Sequence, residues 1–280
     1  MLVSVIIPFY YGEKYLSRIK EMIINNVENM LSTDSIELIL VNDSPNYIIN
    51  EVEMQSEKYK LKVFVNDTNV GIHQSRINGI RVAEGEYILM LDQDDLISDK
   101  CISSQLAKIG NADVIVSNGY KKNQNIDEII YQSDKQQQKV RKLFWYIYLE
   151  NRILSPGQCM IKKESIPKIW TKICMKKNGA DDMLLWLIML HKKNIIKTNS
   201  ECLYTHVSTG ENVSNDDLKM ADSTFEMLEL LKQLNILTLF SRWILKRKIV
   251  NDVYYYHNGK DKYLDYKLIE LIRRILARSR

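Results

Sequence analysis

The chain has 280 residues, of which 45% are hydrophobic and 26% charged, so it fits one large globular domain with or without a small appendage and is not a disordered protein. An apolar run such as Leu184 to Leu190 is far shorter than the roughly 20 residues that a membrane-spanning helix needs. The net charge of +4 is uneven, because residues 240–280 carry 11 basic and 4 acidic side chains while the first 239 residues sum to −3. This asymmetry predicts that the C-terminal end meets an anionic partner.

Branched apolar runs alternate with helical periodicity along the first half of the chain. Strands are predicted over residues 3–7, 36–41, 62–65, 87–91 and 112–116, with helices over 13–30 and 70–84 between them. This series of βαβ units indicates an α/β fold with an open, mainly parallel sheet flanked by helices. Residues 118–139 are polar and rich in Gln, Lys and Asn, which predicts a mobile excursion or a solvated helix. Further helices are predicted over 180–193 and 222–239.

The cysteines and the N-terminus indicate where the protein works. Cys101, Cys159, Cys174 and Cys202 lack the spacing of a zinc site or a disulfide framework, so we expect reduced, buried thiols. The first residues have the pattern of a strand rather than of a signal peptide. Together these features predict a cytoplasmic protein, peripheral on the inner face of the cell membrane if its basic end binds lipid.

Polar groups follow three of the predicted strands at their carboxyl ends, where ligands bind in open α/β sheets. Pro8 to Tyr10 follow the first strand, Asn42 to Ser44 the second, and Asp92 to Asp95 the strand that begins at Tyr87. Three carboxylates within four residues repel one another, and a divalent cation with oxygen ligands relieves that repulsion. From the residues alone, capping of the next helix by Asp94 and Asp95 is the alternative.

In order and spacing, these segments resemble the family 2 glycosyltransferases of bacterial capsule and exopolysaccharide synthesis, which have the GT-A fold. The resemblance covers about residues 2–214 and is carried by Ser4–Tyr10, Glu37–Ser44, Asn69–Gly71 with Arg76, and Gly85–Asp95. It implies a GT-A domain over 1–214, followed by a basic helical extension over 215–280. The implied activity is the transfer of one hexosyl or N-acetylhexosaminyl group from a UDP-sugar to a hydroxyl of a saccharide or lipid-linked acceptor.

The resemblance also implies which residues hold the donor. Pro8, Tyr10 and Asp43 would bind the uridine, with Asp43 accepting a hydrogen bond from the base. Arg76 would lie close to the nucleotide. In the same family Asn, Asp and Asn are usual at the positions of Tyr11, Asn42 and Ile77, so these three residues leave the identity of the donor open.

A metal site is implied by the acidic motif. Asp94 and Asp95 would contact the ribose and bind Mn²⁺ or Mg²⁺ that bridges the diphosphate, and the pattern leaves open which of the two is the main ligand. His206 would be a further ligand of the metal or the diphosphate, although a lone histidine is more often a surface or core residue.

A second acidic pair, Asp181 and Asp182, resembles the pair that opens a helix in these enzymes, and Asp182 would be the general base of an inverting displacement. Without the resemblance, the pair is interpreted as helix-start residues that favour the positive end of the helix dipole. The aromatic residues Trp145, Tyr146 and Tyr148 precede a segment, 155–161, that resembles the start of the acceptor pocket. They are interpreted either as faces for sugar rings or as core residues.

The basic C-terminal end of the chain predicts a contact of its own. Apolar residues at helical spacing from Leu264 to Ile275, surrounded by Lys and Arg, predict an amphipathic helix on an anionic membrane, with packing against the body or in a homodimer as the alternative.

No Gly-rich phosphate loop follows the first strand, which argues against a pyrophosphorylase or a dinucleotide oxidoreductase. A catalytically impaired subunit that scaffolds a partner transferase stays an alternative, and nucleic acid is not an expected partner.

Overall fold

The computed structural model describes residues 1–123, 126–148, 151–209 and 216–258. Within these ranges nine strands form one sheet. The strands are β1 (Leu2–Phe9), β2 (Ser35–Asn42), β3 (Lys60–Val65), β4 (Tyr87–Met90), β5 (Leu96–Ile97), β6 (Val114–Asn123), β7 (Ile126–Ile129), β8 (Cys159–Lys162) and β9 (Ile196–Val207). The order across the sheet is β3-β2-β1-β4-β8-β6-β9-β5, and β7 pairs with β6 beside this path.

The helices lie on the two faces of this sheet and at the C-terminal end of the described chain. They are α1 (Leu16–Glu28), α2 (Glu51–Met54), α3 (Ile72–Val82), α4 (Cys101–Ile109), α5 (Asp134–Gln137), α6 (Leu143–Tyr148), α7 (Asp181–His191), α8 (Asp217–Gln233) and α9 (Leu239–Asn258). Short 3-10 turns cover Glu13–Tyr15, Gln138–Arg141, Pro156–Gln158 and Lys163–Ser165. Within the described ranges we find no helix with the length and hydropathy of a membrane-spanning segment.

The first four strands of the chain form a parallel block of the sheet, as predicted, and β6 and β9 form a further parallel pair. β1 lies between β2 and β4 and is parallel to both, and β3 extends the parallel order beyond β2. Successive residues of β1 face opposite sides, so Val5 packs in the same core cluster as α1, and Ile6 in the same cluster as α3. Burial on both faces explains why β1, β2 and β4 appear in the sequence as mainly continuous apolar runs. The predicted α/β fold is confirmed.

The prediction for residues 118–139 is wrong over residues 118–123 and 126–129, where the chain continues the sheet, whereas Asp134–Gln137 form the short helix α5. β6 extends to Asn123 and pairs antiparallel with β7, with Lys121 opposite Glu128. The buried side chain of Gln137 then donates hydrogen bonds to the carbonyl oxygens of Val116 and Asn199 (3.1 and 2.8 Å). Polar side chains therefore complete the hydrogen bonding of backbone groups here, and their composition gave no sign of the strand pairing.

The C-terminal helices differ from their predicted bounds. α7 matches the helix predicted over 180–193, but the helix predicted over 222–239 is α8, which begins earlier, where Asp216 accepts a hydrogen bond from the backbone N–H of Lys219 (3.1 Å). Left-handed backbone at Asn235 and Leu237 (φ 52° and 68°) ends that helix region before α9 begins. Buried residues of α8 and α9 belong to the same core cluster as α7. The predicted amphipathic segment Leu264 to Ile275 lies outside the described residues.

The four cysteines are free thiols, as expected, but they are not all buried. Cys101 and Cys159 are buried, and burial raises the pKa of the Cys101 thiol to about 12. Cys174 is exposed and Cys202 is half-buried, so the expectation of buried thiols is wrong for these two. Cys174 is exposed because it lies in the loop between the last 3-10 turn and α7, outside the sheet.

Candidate active site

A cavity of about 650 Å³ opens beyond the carboxyl ends of β1, β2 and β4, the edge at which the sequence predicts the ligand site. Nearly every candidate residue from the sequence lines it. The lining includes Pro8, Tyr10, Asp43, Arg76, Asp94, Asp181, Asp182 and His206. Asp95 is the exception, because it is buried behind the cavity wall.

The carboxylate of Asp43 is held at the cavity wall by donors from the loop before α3. Its Oδ1 accepts hydrogen bonds from the side chain of Asn66 and the backbone N–H of Val70 (2.8 Å each), and its Oδ2 accepts one from the N–H of Gly71 (2.9 Å). Gly71 has a left-handed backbone (φ 86°), and an added Cβ would lie 2.9 Å from Oδ1 of Asn178. Asp43 is thus fixed in orientation, and Oδ2, with one internal donor, keeps capacity for a ligand N–H.

Residues that depart from the family pattern have structural partners beside Asp43. Asn42 is buried, donates to the carbonyl of Tyr47 (2.7 Å) and accepts from the N–H of Ser44 (2.9 Å), so it shapes the turn after β2. The N–H of Tyr11 donates to Oγ of Ser44 (2.8 Å), and Ile77 is buried in the core. Asn42 and the backbone of Tyr11 thus take part in the turns beside Asp43, Ile77 packs in the core, and Asp43 keeps its three internal donors.

Gln93 joins the loops that follow β1 and β4, a connection that the sequence did not indicate. Its side-chain oxygen accepts from the backbone N–H of Tyr10 (2.9 Å), and its side-chain nitrogen donates to the carbonyl of the same residue (3.0 Å). Tyr10 itself is half exposed and lines the cavity. Gln93 therefore fixes the backbone of Tyr10 beside the cavity.

The acidic motif divides into a buried and a cavity-facing part. Asp95 accepts hydrogen bonds from the hydroxyl of Tyr204 and from the N–H of Val207 (3.0 Å), and its Oδ1 lies 3.1 Å from Nδ1 of His206. Asp94 lines the cavity, and burial together with the charges of Asp95 and Asp92 raises its pKa to about 6. Asp95 is thus committed to β9, while Asp94 faces the ligand space.

The helix-capping alternative for this motif is wrong. After Asp94 and Asp95 the chain forms the short strand β5, and the next helix, α4, has Lys100 at its N-cap position with no side-chain capping bond. The two carboxylates therefore do not satisfy a helix terminus.

The residues at this end of the cavity fit a divalent cation. Asp94 and His206 line the same cavity and offer oxygen and nitrogen ligands, the donor types that Mn²⁺ accepts. Burial alone would lower the pKa of His206, but the hydrogen bond and charge of Asp95 raise it. A carboxylate that orients a histidine through one ring nitrogen is common behind metal sites. The described residues contain no group of three His, Cys, Asp or Glu side chains that could hold an ion unaided.

Arg76 forms an ion-pair bridge across the floor of the cavity. Its Nη2 lies 2.6 Å from Oδ1 of Asp92, at the end of β4, and its Nη1 lies 2.7 Å from Oδ2 of Asp181, at the start of α7. Burial opposes the charge of Arg76, but Asp181 and Asp92 raise its pKa above the ordinary value. Both terminal nitrogens serve carboxylates, so Arg76 connects the acidic motif with the second acidic pair.

Asp182 also lines the cavity, and its pKa is unusual. Burial and the charge of Asp181 raise its pKa to about 7, in spite of Arg76. Its Oδ2 accepts from the side chain of Asn151 (2.9 Å) and its Oδ1 from the N–H of Met183 (2.6 Å). Asp181 and Asp182 also form the first turn of α7, so the helix-start interpretation is confirmed, and it is compatible with the catalytic one, which stays a prediction.

Helix α8 supports the loop that leads into this acidic pair. The carboxylate of Glu226 accepts from the backbone N–H groups of Lys176 and Lys177 (2.8 Å each), and Oγ of Ser223 accepts from the N–H of Ala180 (2.9 Å). Met220, one helical turn before Ser223, lines the cavity. The position of Asp182 therefore depends on a helix that follows it in the chain.

The aromatic residues before the acceptor-like segment do not line the cavity. Tyr146 is fully buried and its hydroxyl donates to the carbonyl of Val140 (3.0 Å), as the core interpretation predicts. The ammonium of Lys139 lies over the ring of Trp145, 4.6 Å from the ring centroid. From the segment 155–161, Ser155 and Pro156 do line the cavity.

Residues 4–170 match the family model described as Glycosyl transferase family 2. Over 131 residues the chain is 31% identical to Glycosyltransferase GlyG of Streptococcus pneumoniae serotype 4, a match that covers 45% of this chain and 40% of GlyG. Over 98 residues it is 40% identical to the Minor teichoic acid biosynthesis protein GgaB of Bacillus subtilis, covering 34% of this chain and 11% of GgaB. The chain thus spans less than half the length of these curated relatives.

Solved structures give a fold-level match over nearly the whole chain. The crystal structure of Staphylococcus aureus TarS 1–349 superposes with a TM-score of 0.65 at 21% identity, covering 98% of this chain and 79% of that chain. TarS 1–349 in complex with UDP-GlcNAc gives a TM-score of 0.66 at 20% identity, covering 96% and 76%. At this identity the likeness is one of fold, and it confirms the predicted GT-A architecture.

Proposed function

The chain belongs to glycosyl transferase family 2, and on that premise we propose that it is an inverting, metal-dependent glycosyltransferase. Its donor is a UDP-sugar that carries a hexose or N-acetylhexosamine. Its acceptor is a hydroxyl of a saccharide or lipid-linked glycan in cell-surface polysaccharide synthesis, including capsule. The observation that carries the proposal is one cavity lined both by a carboxylate of the acidic motif, Asp94, and by a carboxylate of pKa about 7, Asp182.

At the donor end, this chain's residues bind and orient the nucleotide. Asp43, fixed by three internal hydrogen bonds, accepts from the base, while Pro8 and Tyr10 border the base and ribose. Asp94 and His206 would hold Mn²⁺ or Mg²⁺, which when bound supplies a Lewis acid for the negative charge that develops on the leaving diphosphate. The same fold in TarS with UDP-GlcNAc supports a UDP-sugar in this cavity.

At the acceptor end, Asp182 takes the proton of the attacking hydroxyl. A carboxylate with a pKa of about 7 is half ionised at neutral pH and is a far better proton acceptor than one near pKa 4. Asn151 and the N–H of Met183 fix its two oxygens. With Asp182 as the base and no carboxylate assigned as a nucleophile, the proposed reaction is a single displacement with inversion at the anomeric carbon.

Thermal unfolding with nucleotides tests the donor assignment. UDP with Mn²⁺ should stabilise the protein by about 2.7 kcal/mol at 100 times its dissociation constant, more than GDP, CDP or TDP under the same conditions. The metal-dependent part of this shift should disappear in Asp94→Asn and persist in Asp99→Asn, an exposed acid of the next loop. No shift with any of the four nucleotides, with or without metal, would contradict the proposal.

Sugar transfer itself separates the enzyme from the scaffold alternative. A scaffold subunit would bind UDP and release no UDP from UDP-sugars, with or without added acceptor glycans. The enzyme should release UDP in amounts that depend on metal and on Asp182. The cavity-facing Asp94 and Asp182 favour the enzyme.

The support of the catalytic loop by α8 predicts a kinetic effect far from the chemistry. Glu226→Ala removes the acceptor of two backbone N–H groups, so we expect kcat to fall by about tenfold, because small misplacements of a catalytic group are costly. The KM for the donor should change little. Glu229→Ala is the matched control, since Glu229 lies on the same helix, is exposed and pairs with Lys232 alone (3.8 Å) among the described contacts. Equal kinetics for both variants would remove this positioning effect.

A further inference from the structure

Large apolar side chains lie exposed at the start of α9. Leu239, Phe240 and Trp243, here called the α9 aromatic face, are 79%, 61% and 43% exposed, whereas the adjacent Ile244 and Leu245 are buried in the core. The rings of Phe240 and Trp243 stack with their centroids 5.9 Å apart. Residues at positions i and i+3 share one side of a helix, so the exposed rings form a patch rather than scattered contacts.

Basic side chains surround this face. Over its length α9 carries Arg242, Lys246, Arg247 and Lys248 against the single acid Asp252. The guanidinium of Arg247 lies 5.2 Å from the ring centroid of Trp243, and Lys246 is exposed. Beyond the described helix, residues 259–280 add 7 basic and 3 acidic side chains in the sequence. The apolar patch therefore lies in the most positive region of the chain.

The combination of exposed aromatic rings and basic side chains indicates which partner binds the α9 aromatic face. Aromatic rings interleaved with Lys and Arg suit the headgroup region of an anionic bilayer, where the rings enter the interface and the cations meet phosphates. In a symmetric dimer the same patch would meet itself, so the basic side chains of both copies would face one another at a cost. Charge complementarity thus favours lipid over a second copy of the chain.

We propose that the α9 aromatic face, with Lys246 and Arg247, is a docking surface for an anionic lipid bilayer. α9 is tied to α8 through Arg242, whose Nη1 donates to the carbonyls of Leu231 and Ile236 (3.5 and 3.4 Å). From Leu231 back to Met220 at the cavity, α8 rises about 16 Å. Docking would therefore hold the cavity at a fixed height above the membrane, which matters for a lipid-linked acceptor. Only this connection with the acceptor rests on the proposed function.

Vesicle flotation of the full chain tests the surface. The wild type should float with vesicles of phosphatidylglycerol and phosphatidylcholine, and not with phosphatidylcholine alone. The double variant Phe240→Ser/Trp243→Ser should lower binding by about tenfold or more, because two aromatic side chains no longer enter the interface. Lys246→Glu/Arg247→Glu should also lower binding, and its deficit relative to the wild type should shrink as salt rises, because salt screens the attraction that the two cations supply. Leu31→Ser/Ile48→Ser is the matched control, since these residues are 72% and 90% exposed elsewhere on the molecule.

Three results would overturn the proposal. The first is a wild type that does not bind anionic vesicles. The second is a Phe240→Ser/Trp243→Ser variant that keeps more than about a third of wild-type binding, which would assign the binding to another segment. The third is concentration-dependent dimerisation that this variant abolishes while vesicle binding persists, which would assign the face to a second copy. Nucleotide-dependent stabilisation without vesicles should be equal in wild type and variant, so failure of the proposed function is seen separately.

Discussion

Asp182→Asn should reduce sugar transfer by about 10²–10⁴-fold while leaving the binding of UDP intact, because general-base catalysis typically contributes a factor of that size. Asparagine keeps an oxygen for the N–H of Met183, so the start of α7 should stay folded. Removing a carboxyl whose pKa is raised to about 7 also removes a buried charge, so at pH 8 the variant should be at least as stable as the wild type.

The pH dependence of the wild type follows from the same group. The base acts when ionised, so kcat/KM should rise with pH through about 7 and fall below it, and this limb should be absent from the residual activity of Asp182→Asn. Asp217→Asn is the control, because Asp217 is an acid in the first turn of α8. A variant at Asp182 that retains more than about a tenth of wild-type transfer would end its assignment as the base.

Arg76→Met should destabilise the protein by about 3–5 kcal/mol at pH 8, since it leaves two buried or half-buried carboxylates, Asp92 and Asp181, without their counter-charge. Denaturant unfolding measures this loss. Burial raises the pKa of Asp92 and Arg76 opposes that rise, so without the guanidinium this pKa should rise further, and a raised carboxyl pKa favours the protonated folded state at low pH. The difference in unfolding free energy between the wild type and Arg76→Met should therefore become smaller as the pH falls from 8 to 5.

Two further variants isolate the bridge. Arg81→Met changes an exposed arginine of the same helix, whose guanidinium lies 3.5 Å from Asn78, and should alter stability by less than about 0.5 kcal/mol. Adding Asp181→Asn to Arg76→Met should restore part of the lost stability, because one uncompensated charge is gone. If Arg76→Met and Arg81→Met lost the same free energy of unfolding at every pH, the two ion pairs of Arg76 would make no net contribution to stability.

The strands of the parallel half and the acids at their ends were predictable because both are local signals. A buried parallel strand is a continuous apolar run, and Asp43 and Asp94 follow such runs directly. Asn151 and Met220 were not predictable, since neither belongs to a local motif and each reaches the cavity only through tertiary packing. The pairing of β6 with β7 was not predictable either, because the outer residues of this pair are polar on both sides. They lack the two-residue alternation of apolar and polar side chains that indicates a strand.

The pairing of Asp95 with β9 has a consequence for the order in which the chain is synthesised. The partners of this buried carboxylate, Tyr204 and His206, follow it by 109 and 111 residues. During translation, β1 to β4 emerge and can pair while the acidic motif still lacks the hydroxyl, the imidazole and the amide that hold it. The family-matched stretch ends at residue 170, before these partners and before Asp181 and Asp182. A ribosome-bound chain stopped there would contain β1 to β4 and lack Asp181, Asp182 and the partners of Asp95, so the cavity is completed only after β9 and α8 have been synthesised.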